Sequence, residues 1–209
     1  MAQIYDQNLW GGPKGSFYSG QGSHHPGLTV PYLERLTQFL NTFNPLPVVC
    51  DLGCGDFNVG RELVPFSSRY IGVDIVPMLI AHNKARFREP KLDFRCLDIA
   101  KDPLPKGNCA LLRQVLQHLN NEEIHAILRK LSGFGHVVVT EHVPSGSFDP
   151  NVDIISGQGT RLRRGSGVVL TAPPFNFSVA HQEKWLSLPS PDGKGVVETV
   201  LYTMPKETP

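Results

Sequence analysis

Residues 48–60 read VVCDLGCGDFNVG, an apolar run that ends in an acid and then breaks into glycines. The apolar part extends back to Leu46 and shows no alternation, the pattern of a central parallel strand covered on both faces. Gly53, Gly55 and, further on, Gly60 let the backbone turn sharply and approach a ligand closely, beside the positive end of a following helix. A dinucleotide fingerprint of the G-x-G-x-x-G kind needs glycine at position 58, and Asn58 stands there. The acid immediately before the glycines argues the same way. Asp51 would repel a pyrophosphate and suits a ligand with a positive amino-acid tail.

Outward from this stretch, strands and helices alternate. A short helix is expected around Val59–Val64, then the strand RYIGVD, then a helix opened by Pro77 (PMLIAHNKARF) leading to the strand LDFRCLD. NCALLRQV supplies a fourth strand and its exit. NNEEIHAILRKL is a helix with Ile124, Ile127, Leu128 and Leu131 on one face, and HVVVTEH a fifth strand. Such alternation predicts an α/β fold with a doubly wound, mostly parallel sheet. Upstream, TVPYLERLTQFLNTF carries Tyr32, Leu36, Phe39, Leu40 and Phe43 at helical spacing, with Thr29 and Pro31 as start signals. Residues 1–28 show no period and are expected to form an irregular arm. Residues 144–180 are punctuated by Gly and Pro and are expected to be an elaborated loop. HQEKWLSL and VVETVLYTM flank the turn signal PSPDGKG and predict a terminal antiparallel hairpin. The expectation is one domain over 1–209: arm or lid 1–28, cofactor-binding core 29–143, substrate loop and hairpin 144–209.

Asp74 ends the second strand and Asp98 the third. A carboxylate in the first place can accept from both hydroxyls of a ribose. In the second it can accept from an adenine's amine, with Ile75 and Ile99 on either side of the ring. Any one of these acids alone reads as a helix cap or a surface charge. Three at the carboxyl ends of successive parallel strands point to a ligand, because that edge is where such sheets bind them.

In order and spacing, VVCDLGCGDFNVG, YIGVDIV, FRCLDI and LLRQVLQHL resemble the successive motifs of class I S-adenosylmethionine-dependent methyltransferases, over about residues 46–143. The resemblance implies a Rossmann-like seven-stranded sheet with an antiparallel last strand, S-adenosylmethionine as cofactor and S-adenosylhomocysteine as product. It implies that Asp51, Gly53 and Gly55, with Cys54 between them, hold the methionine portion, Asp74 the ribose, and Asp98 with Ile99 the adenine. Arg113 and Gln114 correspond to the segment lining the methyl-transfer side. The YSGQGSH arm and the GSGV…PPFN segment also resemble a narrower bacterial group of small-molecule type, which implies no particular substrate. APPFNF (172–177) is similar to the Pro-Pro motif of nucleic-acid amino-methyltransferases. In those enzymes it follows the fourth strand, where this chain has Leu112–Val115, so a loop brace is expected instead.

Acceptor chemistry is sought at the remaining polar residues. Glu141 and His142 end the fifth strand, where either could serve as general base for a hydroxyl or amine; the alternative is loop orientation and packing. His24 and His25, with Tyr18, belong to the aromatic-rich arm, which is expected to fold over the cofactor and exclude water, His24 as a catalytic candidate and Tyr18 and His25 as substrate-binding ones. Arg161, Arg163 and Arg164 form the one dense basic cluster, read as a solvated face or as a clamp for a phosphate or carboxylate. An activated methyl donor asks mainly for alignment and dryness, so oxygen and nitrogen acceptors stay equally open.

The 209 residues carry 40% hydrophobic and 19% charged side chains and a net charge of +1. This is an ordinary globular composition without a basic field for nucleic acid or anionic membrane. No apolar run nears the ~20 residues of a membrane span, and the start MAQIYDQNLWGG lacks the signature of a secretory signal. A cytoplasmic monomer or homodimer acting on a small molecule is expected, without nucleic-acid or membrane partners. Cys50, Cys54, Cys96 and Cys109 lack the spacing of a zinc site, and no metal is expected. A dehydrogenase is disfavoured by Asp51 and Asn58; a non-catalytic relative that keeps the cofactor pocket remains the alternative.

Overall fold

The computed structural model describes Leu9, Gly11 and residues 17–205. Strands are β1 (Val48–Leu52), β2 (Arg69–Asp74), β3 (Leu92–Cys96), β4 (Cys109–Arg113), β5 (His136–Val143), β6 (His181–Pro189) and β7 (Val196–Thr203). Helices are α1 (Pro26–Leu40), α2 (Pro77–Arg86) and α3 (Asn121–Leu131). The strand order is β3-β2-β1-β4-β5-β7-β6. β1, β2 and β3 pair parallel, as do β4 and β5, while β7 runs antiparallel to both β5 and β6. This is the mixed, Rossmann-like seven-stranded sheet that the alternation and the terminal hairpin predict. Among the described residues no helix is long and apolar enough to cross a membrane.

The chain divides into two compact units, residues 1–107 and 108–209. In the first, α1 buries Leu28, Tyr32, Leu36 and Leu40 at four-residue spacing. It begins three residues before the expected Thr29. Pro26 needs no amide donor in the first turn and has its φ preset, and the His25 carbonyl accepts from the Thr29 amide at 3.0 Å. Pro31, expected as a start signal, therefore lies inside the helix. The arm is likewise shorter and less irregular than expected, with a 3₁₀ turn at Gln21–Ser23; residues 1–8, 10 and 12–16 of it lie outside the described residues. The helix expected around Val59–Val64 is two 3₁₀ turns, Gly60–Glu62 and Val64–Phe66, separated at Leu63.

Beneath those turns lies an aromatic cluster. Phe57 packs edge-on against Tyr70, Phe87 and Phe94 with centroids 5.6, 5.1 and 4.8 Å away. Phe57 holds a left-handed φ of 61°, a cost that its complete burial offsets. Gly60 is required at this spot. A Cβ there would stand 2.4 Å from the Phe57 ring and 2.8 Å from Asp51 Oδ2.

In the second unit, α3 opens with a capping box in which Asn120 accepts from the Glu123 amide at 2.8 Å and Glu123 reaches back to the Asn120 amide. The long loop after β5 is held by Asn151, which is buried. Its side chain donates to the carbonyls of Val169 and Pro173, each at 2.9 Å, and accepts from the Val169 amide at 2.8 Å. The Pro173-Pro174 turn is thus tied down as a brace, with Phe175 against His125 at 5.0 Å.

Candidate functional site

In the first unit the loop after β1 folds back at once. The amides of Gly53 and Cys54 both donate to the Val73 carbonyl, at 2.8 and 2.9 Å. Gly53 and Gly55 have φ of 95° and 55°, which glycine adopts without a steric penalty. The Gly55 peptide is gripped from both ends: its N–H donates to Asp74 Oδ2 at 3.2 Å, and its carbonyl accepts from Asn83 Nδ2 of α2 at 2.8 Å. Asp74 Oδ1 accepts from the Val76 amide at 3.0 Å. Each carboxylate oxygen can accept about two hydrogen bonds, so Asp74 keeps capacity for ribose hydroxyls while ordering the glycine loop. Burial pushes its carboxyl above the ordinary value, and the amides of Val76, Gly55 and Ile75 pull it back.

Asp51 Oδ2 accepts from the Tyr70 hydroxyl at 2.9 Å. The Cys54 thiol is pushed well above its ordinary range, first by burial and then by the charges of Asp51, Asp74 and Asp56. Three carboxylates therefore converge on the loop. Asp98 is tied locally: Oδ1 accepts from the Ala100 amide at 3.0 Å and Oδ2 lies 3.3 Å from exposed Lys101, a pairing of little energetic weight. Ile75 is 44% exposed, with Met78 of α2 at 64%, whereas Ile99 is 9% exposed and belongs to the wall.

The described part of the arm is fastened to this loop. Asp56 Oδ2 accepts from the Ser19 amide at 3.0 Å and pairs with His24 Nε2 at 2.6 Å, and the Asp56 amide donates to Ser19 Oγ at 2.8 Å. Asn58 Nδ2 donates to the Ser23 carbonyl at 2.7 Å. Tyr18 stacks on His24 at 4.4 Å, and Phe17 packs on Val76 and Leu79. His25 is the N-cap of α1 without a side-chain cap bond. Asp56 and Asn58 were legible only as polar neighbours of Phe57; once Phe57 is buried, both are directed to the arm.

In the second unit Glu141 is buried. Its Oε1 accepts from the amides of Val115 and Leu116 at 3.3 and 2.8 Å, its Oε2 from Gln117 at 3.1 Å. This anchors the 3₁₀ turn Leu116–His118 after β4. Burial pushes the Glu141 carboxyl up to about 8, opposed by those amides and by Arg161. His142 is engaged twice, its amide donating to Gln117 Oε1 at 3.0 Å and its ring Nε2 meeting the Lys194 carbonyl. Gln114 holds a left-handed φ of 57° with its amide on the Thr140 carbonyl at 2.7 Å; Arg113, just before it, is half-buried at the end of β4.

The expected arginine clamp is taken apart. Arg161 is fully buried, its Nη1 donating to the Leu116 carbonyl at 3.0 Å and its Nη2 to Asn121 Oδ1 at 2.6 Å. The 3₁₀ turn Arg161–Arg164 leaves Arg163 and Arg164 exposed, and Arg164 reaches the Asp153 carbonyl. The physical reason is that the Leu116 carbonyl and Asn121 draw the first guanidinium inward, while no such pair of buried acceptors is shown for the other two. Among the described residues no group of three or more His, Cys, Asp or Glu is placed to hold a metal, and all four cysteines are free thiols.

Residues 49–134 match the family model of a methyltransferase domain. Over this stretch the chain is thus similar to methyltransferase domains. Among curated proteins none matches the sequence significantly. Solved structures share the fold at low identity. The N-methyltransferase NodS from Bradyrhizobium japonicum WM9, in complex with S-adenosylhomocysteine, is 13% identical with a TM-score of 0.74, covering 98% of each chain. Magnesium protoporphyrin IX methyltransferase from Synechocystis PCC 6803, with S-adenosylhomocysteine bound, is 14% identical at 0.60, again over 98% of each. Human N-acetylserotonin methyltransferase with S-adenosylmethionine is 18% identical at 0.54, over 97% of this chain and 62% of that one.

Proposed function

We propose that the protein transfers a methyl group from S-adenosylmethionine to an oxygen or nitrogen of a small polar metabolite. The observation that carries this is the pair of carboxylates at the glycine loop: Asp51 at the end of β1, directly before the turn, and Asp74, which holds the Gly55 amide. Acceptor-only carboxylates suit a ligand whose ribose hydroxyls and ammonium donate, and whose net charge is positive. They do not suit a pyrophosphate. The residues present therefore fit the group, which would be held by Asp51, Gly53, Cys54, Gly55 and Asp74, with Ile75, Asp98 and Ile99 toward the adenine. When bound, the cofactor supplies a methyl already activated on a sulfonium. The protein's share is to align the acceptor and keep water out.

Acceptor recognition is assigned to the arm, through Tyr18, His24 and His25, and to the loop after β5, through Arg163. Arg161 is spent on Leu116 and Asn121, so the support for an anionic acceptor narrows to Arg163. The amide contacts of Glu141 favour an anchoring role over proton transfer. The test is binding followed by turnover: calorimetry should show S-adenosylhomocysteine binding and no NAD binding, and a labelled-methyl screen should find an acceptor. Tight cofactor binding without turnover across oxygen and nitrogen acceptors would favour the non-catalytic alternative.

The bonds from Asp56 and Asn58 to Ser19, Ser23 and His24 support a lid role for residues 17–25. Hydrogen exchange of residues 17–25 is expected to slow when S-adenosylhomocysteine is added. Equal exchange with and without it would remove the lid role.

A further inference from the structure

We propose that Tyr70 is a positioning residue that sets the Asp51 carboxylate for the ammonium group of the cofactor's methionine portion. The proposal deepens the cofactor assignment above and rests on it. Tyr70 sits in β2 opposite Val49 of β1, two residues before Gly72, which is the register partner of Asp51. Residues two apart on a strand share a face, so the phenol reaches along the sheet surface to Asp51 and donates to Oδ2 at 2.9 Å.

The space beside Asp51 is shaped for this contact. Gly72 leaves room that a Cβ would take from Phe94, at 2.8 Å, and from the Cys54 thiol, at 3.3 Å. Gly60 closes over the same Oδ2, where a Cβ would come within 2.8 Å. Between the hydroxyl and the Gly60 backbone the carboxylate has little freedom to rotate.

Core stability alone gives no reason for this pair. Tyr70 is completely buried with its ring edge-on to Phe57, where phenylalanine would pack as well. Burial and the Asp51 charge push the Tyr70 phenol well above its ordinary value, so it stays a donor throughout the working pH range. The arrangement gives a carboxylate of fixed orientation at the end of β1, next to the turn at Gly53.

The experiment compares two ligands on the full chain by calorimetry: S-adenosylhomocysteine, and 5′-methylthioadenosine, which has the nucleoside but no amino-acid portion. Tyr70→Phe should weaken the first about five- to tenfold, the scale of one hydrogen bond at a charged group, and leave the second within about twofold. Asp51→Asn should show the same selectivity and serves as the second variant should Tyr70→Phe fold poorly. Equal weakening of both ligands in either folded variant would mean a general structural role and overturn the proposal, as would unchanged S-adenosylhomocysteine affinity in Tyr70→Phe. Wild-type protein that binds neither ligand would instead overturn the cofactor assignment, and the positioning role with it.

Discussion

A folded Asp74→Ala variant is expected to bind S-adenosylhomocysteine about 10- to 150-fold more weakly than the wild type, a loss of about 1.5–3 kcal/mol for hydrogen bonds to a charged group. Two effects act in one direction. The ribose hydroxyls would lose their proposed acceptor, and the amides of Gly55 and Val76 lose theirs, so the loop proposed to hold the methionine portion is freed. Asp74→Asn should fall between the two, because its single carbonyl oxygen can still accept from one amide. Calorimetry on variants with wild-type circular dichroism makes the comparison. Unchanged affinity in the alanine variant would remove Asp74 from the cofactor site.

Glu141→Ala should act on stability before it acts on chemistry. Removing the carboxylate strands the buried amides of Leu116 and Gln117 and the partly buried one of Val115. At about 1–3 kcal/mol for each unsatisfied donor, the loss is about 3 kcal/mol or more, or a fall in Tm of about 6 °C or more in a chain of this size. The pH dependence follows from the raised carboxyl. Its folded value of about 8 lies above its ordinary value of 4.5, so the native state keeps a proton that the unfolded chain releases between those limits. The contribution of this group to stability is therefore full below 4.5 and is lost as pH rises toward 8. Thermal melts from pH 5 to 8 should show a decline that Glu141→Gln flattens. A Glu141→Ala protein with wild-type Tm and no turnover would instead make Glu141 a general base.

Legibility in the sequence followed the range of the interactions. The central parallel strands announced themselves because burial on both faces favours apolar runs, as in Val48–Cys50 and Val137–Val139. The α3 start was readable from Asn120 and Glu123, which act only three residues apart. Asp51 and Asp74 were readable because the chain must place strand ends at one edge of the sheet, whatever packs around them. The start of α1 was misjudged by three residues because Pro26 and Thr29 are both acceptable local signals, and the choice between them rests on contacts of Leu28 in the core.

The side-chain partners were a different matter. Arg161, Arg163 and Arg164 look alike in a row, and only the 3₁₀ turn with the Leu116 carbonyl and Asn121 decides that the first is buried and the other two exposed. Glu141 and His142 read equally well as bases, and only the folded chain shows that three amides more than twenty residues away meet on the former. Asp56, Asn58 and Tyr70 lie within the quoted motifs, but their side-chain partners had no local signal, since each partner is 19 to 37 positions distant. The sequence by itself determined the order of elements, the parallel sheet and the acidic rim at its strand ends, because backbone geometry and apolar periodicity are local. Tertiary structure alone decided which polar groups remain available to ligands, because a hydrogen bond or a buried charge depends on which distant atoms come within about 3 Å of it.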